Sequence, residues 1–156
     1  MQTSILPIER LERALQTIPL TLAMRVEIRR YDGEHLILAA PLEPNVNDKG
    51  CAFGGSLASL MTLSGWGLIV LKLEEAQLDC DIYVQDSSIR YLAPLWSELK
   101  AQATIVGSWD AFINSLRARG RARLSVTCRA TMEDGGDACT LDARFVAIVR
   151  NATDTP

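Results

Sequence analysis

Hydrophobic positions in this chain recur first at helical spacing and then in alternation. Between Ile5 and Ile18, Leu11, Leu15 and Ile18 recur at helical spacing among Glu9, Arg10, Glu12 and Arg13, which predicts a short amphipathic helix. From Leu22 to Tyr31 the period becomes two, with Leu22, Met24, Val26 and Ile28 on one side and Arg25, Glu27 and Arg29 on the other. That alternation predicts a strand. Asp32-Gly33 then supplies a hairpin turn, and Leu36 to Ala40 a second strand.

Pro41 and Pro44 end strand character, and Asn45-Val46-Asn47-Asp48-Lys49-Gly50 reads as an irregular loop. The most apolar stretch follows, Leu57 to Leu73, with Gly54-Gly55 before it and Glu74-Glu75 after it. Ser59, Thr62 and Ser64 interrupt it and its apolar part falls short of a membrane crossing, so it is expected as a helix buried in the core. Four further strands are predicted: Cys80 to Leu92, Leu99 to Val106, Arg119 to Met132, and Leu141 to Val149. Gly107 to Leu116 is expected as a loop or short helix over one edge.

The order is helix, hairpin, long apolar helix, then strands. One long helix cannot bury all its sides alone, so a curved antiparallel sheet wrapped around it, an α+β fold, is the natural packing. The exposed sheet edge and the half-covered helix suggest pairing with a second copy, as a dimer or a dimer of dimers. The length of 156 residues fits one domain, taken as 1–150, with a polar tail at 151–156.

Composition narrows the chemistry. The net charge of −3 gives no support for a nucleic-acid partner. The single histidine, His35, falls in the predicted Asp32-Gly33-Glu34-His35 turn, so a nucleophile activated by imidazole is not expected. Cys51, Cys80, Cys128 and Cys139 form no Cys-x-x-Cys pair, so no metal is expected. They read as small hydrophobes in reduced cytosol, and Met1 to Ile18 does not have the pattern of a secretory signal.

Chemistry concentrates where the loop meets the long helix. Unpaired backbone N–H groups at a helix start attract negative charge, and Gly54 and Gly55 let a ligand approach them closely. The same glycines could simply open a tight joint between loop and helix. Asn45, from the preceding loop, could donate a second hydrogen bond, and Asn47 could shape the loop. On the helix, Ser56, Ser59 and Thr62 recur every three residues as a narrow polar line.

Asn45-x-Asn47, followed by Phe53-Gly54-Gly55-Ser56 and the long helix, resembles the active-site segment of hotdog-fold acyl-thioester enzymes. Pro44-Asn45-Val46-Asn47, Met61-Thr62-Leu63-Ser64-Gly65-Trp66-Gly67 and Arg90-Tyr91-Leu92-Ala93-Pro94 are similar, more closely, to the thioesterase-like family typified by the YiiD C-terminal domain. That family includes malonyl-acyl-carrier-protein decarboxylases. The resemblance implies a site between subunits, a substrate carrying the phosphopantetheine of acyl carrier protein or CoA, and no separate cofactor. It also implies that Phe53 stands where many relatives carry His, and Thr62 where related thioesterases carry a catalytic Asp or Glu.

The missing acid separates two reactions. Hydrolysis needs a carboxylate to attack or to activate water, whereas a malonyl thioester brings its own carboxylate and needs only a place to hold the enolate. Decarboxylation is therefore the leading expectation, with Asn45, Gly55, Ser56 and Thr62 as catalytic residues and Asn47, Phe53 and Gly54 lining the substrate. A thioesterase drawing its carboxylate from Asp86 across a dimer interface is the first rival, and a catalytically silent acyl-binding domain the second. Arg117, Arg119, Arg121 and Arg123 alternate as on one strand face, either a solvated surface or a dock for an acidic carrier protein. Trp66, Trp96 and Trp109 read as core or interface anchors, and Gly65-Trp66-Gly67 as close helix packing.

Overall fold

The computed structural model describes residues 6–151. Helix α1, Pro7–Gln16, buries Leu11 and Leu15, one turn apart, as the amphipathic pattern requires. Ile5, where the predicted helix starts, lies outside the described residues.

The strand expected from Leu22 begins only at β1, Glu27–Tyr31, because Pro19–Met24 forms a second helix, α2. Pro19 occupies the first helical turn, where its missing N–H costs nothing, and Arg25 at φ 56° closes the helix in the left-handed region. Thr21 and Met24 are the buried residues of α2, while Leu22 is exposed, so the Leu22/Met24 alternation did not mark one buried face. The Thr21 hydroxyl donates to the carbonyls of Leu15 and Ile18, fastening α2 to the end of α1.

Strand β2, His35–Ala40, completes the predicted hairpin, and a single turn of 3-10 helix, Glu43–Asn45, leads into the loop before α3, Gly54–Glu75. Strands β3, Cys80–Tyr91, and β4, Leu99–Val106, follow. The segment from Gly107 forms helix α4, Trp109–Arg119, with the Ser108 hydroxyl capping the Ala111 N–H at 3.1 Å. Gly120 at φ 71° ends it, and β5 spans Arg121–Thr131 and β6 Asp137–Val149. Arg117 and Arg119 thus stand in the last turn of α4 and only Arg121 and Arg123 on β5, so the expected four-residue alternation on one strand is broken by the glycine.

All six strands form one antiparallel sheet in the order β1-β2-β4-β5-β6-β3. The curved sheet wraps α3, which is the hotdog arrangement. The 22-residue helix is long and apolar enough to cross a membrane, yet Leu60, Met61, Leu68 and Leu71 are wholly buried in the core it shares with the sheet. Ser64, completely buried, lies within 3.0 Å of the carbonyls of Leu36 on β2 and Ala101 on β4 and gives its proton to them. Close approach is set by Gly65, against Phe145 and Val126, and by Gly67, against Leu36 and Leu11.

A side chain at position 67 has nowhere to go: its Cβ would stand 2.8 Å from one methyl of Leu36 and 3.2 Å from one of Leu11, both 0% exposed. Gly67→Val is expected to destabilise the fold by about 1–3 kcal/mol through overpacking, read as a lowered urea midpoint.

Candidate functional site at the start of the central helix

Three backbone bonds deliver the chain to α3. Asn47 N–H bonds the Cys51 carbonyl at 2.8 Å, Ala52 N–H the Leu95 carbonyl at 2.8 Å, and Phe53 N–H the Asn45 carbonyl at 2.7 Å. Leu57 N–H is the first to bond back within the helix, to the Phe53 carbonyl at 3.1 Å, and no side chain caps the start. The N–H groups of Gly54, Gly55 and Ser56 therefore precede the intrahelical ladder, at the positive end of a long helix dipole.

Aromatic rings flank that first turn. The Phe53 ring folds back into the space a side chain on Gly55 would take, and Tyr91, at the end of β3, sets its ring 3.2 Å from where a Cβ on Gly54 would stand. Tyr91 also donates its hydroxyl proton to the Gly54 carbonyl at 3.2 Å. Both rings stay more than half exposed, at 54% and 58%. Gly54 and Gly55 thus serve both readings, since their bareness admits the two rings and leaves the amides open. Tyr91 was not singled out as a site residue from sequence, where it is one more aromatic in a strand; only the fold carries it across 37 residues to Gly54.

Asn45 does something other than expected. It is 1% exposed, and its amide nitrogen donates both hydrogens to backbone, to Met24 at 3.0 Å and to Pro41 at 2.8 Å. No hydrogen remains for a substrate oxygen, so the donor role is corrected to that of a strut tying α2, the end of β2 and the start of α3 together. Asn47 organises the adjacent turn, accepting from Lys49 N–H at 2.8 Å and donating to the Cys51 sulfur at 3.2 Å. Thr62 is half-buried and gives its proton to the Ala58 carbonyl at 2.8 Å, one turn back, so in this rotamer it offers only acceptor lone pairs. Ser59, Thr62, Leu63, Trp66 and Val70 make up a half-buried face of α3.

The imidazole and the candidate acid Asp86 lie elsewhere. Within α3 the first acid is Glu74. His35 sits in the β1–β2 hairpin 3.2 Å from Asp32, and Lys72 near the opposite end of α3 reaches Gly33 of the same hairpin. The backbone N–H groups of His35 and Glu34 hold the Asp32 carboxyl down at about 2, as in a structural turn. Asp86 follows a bulge in β3 and pairs with Arg144 of β6, on the sheet face that alternates away from Phe145 and α3, so it does not look toward the helix start of its own chain. Burial pushes the Cys128 thiol up to about 12 and those of Cys139 and Cys80 to about 11, which keeps them protonated.

Trp109 packs tilted on Phe112 with Lys72 over its ring, Trp66 lies half-buried on α3, and Trp96 is exposed, so the three tryptophans do not share one environment. Truncating the strut is the clearest check on Asn45: Asn45→Ala leaves one buried and one half-buried carbonyl without their donor and is expected to cost about 1–3 kcal/mol of stability, measured by chemical denaturation.

Known proteins share this architecture. A solved protein of unknown function from Chlorobaculum tepidum is 27% identical with a TM-score of 0.86, covering 91% of this chain and 94% of that one. One described as a "putative thioesterase", from Shewanella oneidensis, is 28% identical with a TM-score of 0.83, covering 91% and 97%. A thioesterase from Haemophilus influenzae shares the fold at 17% identity and a TM-score of 0.73, covering 93% and 94%. The family model described as "Putative thioesterase (yiiD_Cterm)" matches residues 8–149, nearly everything from α1 to the end of β6, and the chain belongs to that family of hotdog-fold acyl-thioester proteins.

Proposed function

We propose that this chain is a malonyl-acyl-carrier-protein decarboxylase that forms an acetyl thioester at the start of α3. The observation that carries the reading is the uncapped first turn at Gly54, Gly55 and Ser56, walled by Phe53 and Tyr91, on a helix with no acid before Glu74. The thioester oxygen would accept from the Gly55 and Ser56 N–H groups. The bond between the malonyl methylene carbon and its carboxylate breaks, CO2 leaves, and the electron pair stays as an enolate whose oxygen those amides stabilise. Water then protonates that carbon. Loss of one such donor typically costs about 2.7–4 kcal/mol of barrier lowering. Phe53 and Tyr91 would flank the bound thioester and shield part of it from water. Thr62 would orient that carboxylate after its proton turns away from Ala58.

The family description favours a second reading, hydrolysis of an acyl thioester. It needs a carboxylate; α3 itself carries none before Glu74, and a second copy could supply one. Strand β3 forms one edge of the sheet over 12 residues, with Tyr83 and Val84 exposed at 57% and 46%. Antiparallel pairing of two such edges would bury them and put the Cys80 end of one copy beside the Tyr91 end of the other. The Cys80 end carries Asp79, Asp81 and Glu74 around a groove of about 280 Å³ lined by Trp66, Val70 and Tyr83.

Incubation of purified protein with malonyl-acyl carrier protein, followed by intact mass spectrometry, separates the readings. Acetylated carrier is expected; free carrier thiol would replace decarboxylation by hydrolysis, and unchanged substrate would point to a silent acyl-binding domain. Val84→Asp is expected to give a folded monomer by light scattering with product formation reduced at least tenfold, since it charges the proposed edge without touching the core.

A further inference from the structure

The arginines that sequence placed on one strand converge instead on a groove. Val106, the last residue of β4, pairs with Ser125, so β5 residues 121–124 run past the end of β4 and are paired on one side only, with β6. Helix α4 packs beside this bare edge, leaving a groove of about 590 Å³. Phe112 and Leu124 contribute apolar floor, and Arg119, Arg121 and Arg123 line the groove, with exposed Arg117 one turn-half away on α4.

These four side chains are not neutralised from within. Among the described residues none of them holds an ion pair with an acid, whereas six other arginines do, among them Arg129 farther along β5 and Arg150. Arg123 instead donates to the neutral Gln85 amide oxygen, at 2.9 Å, from the β3 bulge. In a chain of net charge −3, this concentrates unpaired positive charge at one place.

From this we infer that the α4–β5 groove docks an acidic helix of the protein that carries the thioester. Arg121 and Arg123 stand two residues apart on one strand face, about 7 Å, close to the rise of about 5.4 Å between carboxylates on successive turns of a helix. The groove is open to solvent, which suits a segment of protein.

Position matches the role. Lys72, near the end of α3, lies 5.0 Å over the Trp109 ring at the start of α4, so the groove sits at the end of the sheet opposite Gly54. The 22 residues of α3 span about 33 Å, so this groove does not serve the helix start of its own chain. Antiparallel pairing through β3 sets it at the end of the sheet where the partner's α3 begins. The inference rests on the reading of the protein as a paired enzyme acting on a carrier-borne thioester.

The test measures binding of malonyl-acyl carrier protein by fluorescence anisotropy, and turnover of that substrate and of malonyl-CoA. Arg121→Glu/Arg123→Glu is expected to weaken carrier binding at least tenfold, and Arg121→Lys/Arg123→Lys to stay within about threefold of the native protein, with circular dichroism and melting unchanged in both. Raising salt from about 0.05 to 0.5 M should weaken the native complex, since exposed charges are screened. The reversal should lower kcat/KM, through KM, at least tenfold more for the carrier substrate than for malonyl-CoA. Equal losses on both substrates, a native protein that does not bind the carrier, or binding indifferent to the reversal would overturn the docking. Binding that the reversal abolishes, in a protein that turns over neither thioester, leaves the docking standing and removes the catalytic reading.

Discussion

Burial of α3 is the constraint from which the rest of this structure follows. A 22-residue helix with its first acid at Glu74 must be covered, and the six strands close around it only because Gly65 and Gly67 let Phe145, Leu36 and Leu11 reach its backbone. Ser64 adds direction to that contact. A buried hydroxyl without acceptors is costly, and here its acceptors are the carbonyls of Leu36 and Ala101, which favours one rotation of the helix against β2 and β4. Rotation then decides what remains uncovered: the half-buried face through Thr62, Trp66 and Val70.

The helix start inherits its exposure from this arrangement. The chain entering α3 is pinned by Asn45, whose side chain holds Met24 and Pro41 and whose carbonyl holds Phe53 N–H. With the entering residue fixed in extended conformation and bearing a phenyl ring, no side-chain oxygen is placed to cap the first turn. An uncapped helix start usually forfeits about 0.5–2 kcal/mol relative to a Ser, Thr, Asn or Asp cap. Amides left bare at that cost are what the proposed oxyanion role would use.

Sequence made the architecture legible where pattern and burial coincide. The apolar run at 57–73, the Asp32-Gly33 turn and the runs of β4, β5 and β6 each correspond to an element, though β6 begins at Asp137, four residues before the expected Leu141, and β5 at Arg121, after the last turn of α4. Pattern misled where two periods agree over a short stretch. Leu22 and Met24 fit a strand, but Pro19 starts a helix there and Thr21, a polar residue, takes the buried position. Arg117 to Arg123 look periodic in the letters, and a single glycine in the left-handed region splits them between a helix and a strand. For the site, the loop and the glycines could be read locally. The job of Asn45 could not, because its acceptors lie 21 and 4 residues away, and neither could Tyr91, which reaches Gly54 only through the closure of the sheet.

The two readings of the glycine pair, tight joint and open amides, are then one reading. A side chain at position 55 would collide with the Phe53 ring, and one at 54 would crowd Tyr91. The glycines are therefore needed for packing, but what they pack against is a pair of exposed aromatic walls rather than the core. Rings held at the surface beside unbonded N–H groups do little for stability, since more than half of each stays in water. What they do is narrow the approach to those donors from two sides. With His35 in the β1–β2 hairpin and Asp86 on the far face of the sheet, what the first turn of α3 itself presents is backbone donors between two half-exposed rings. That combination suits a substrate that carries its own leaving charge.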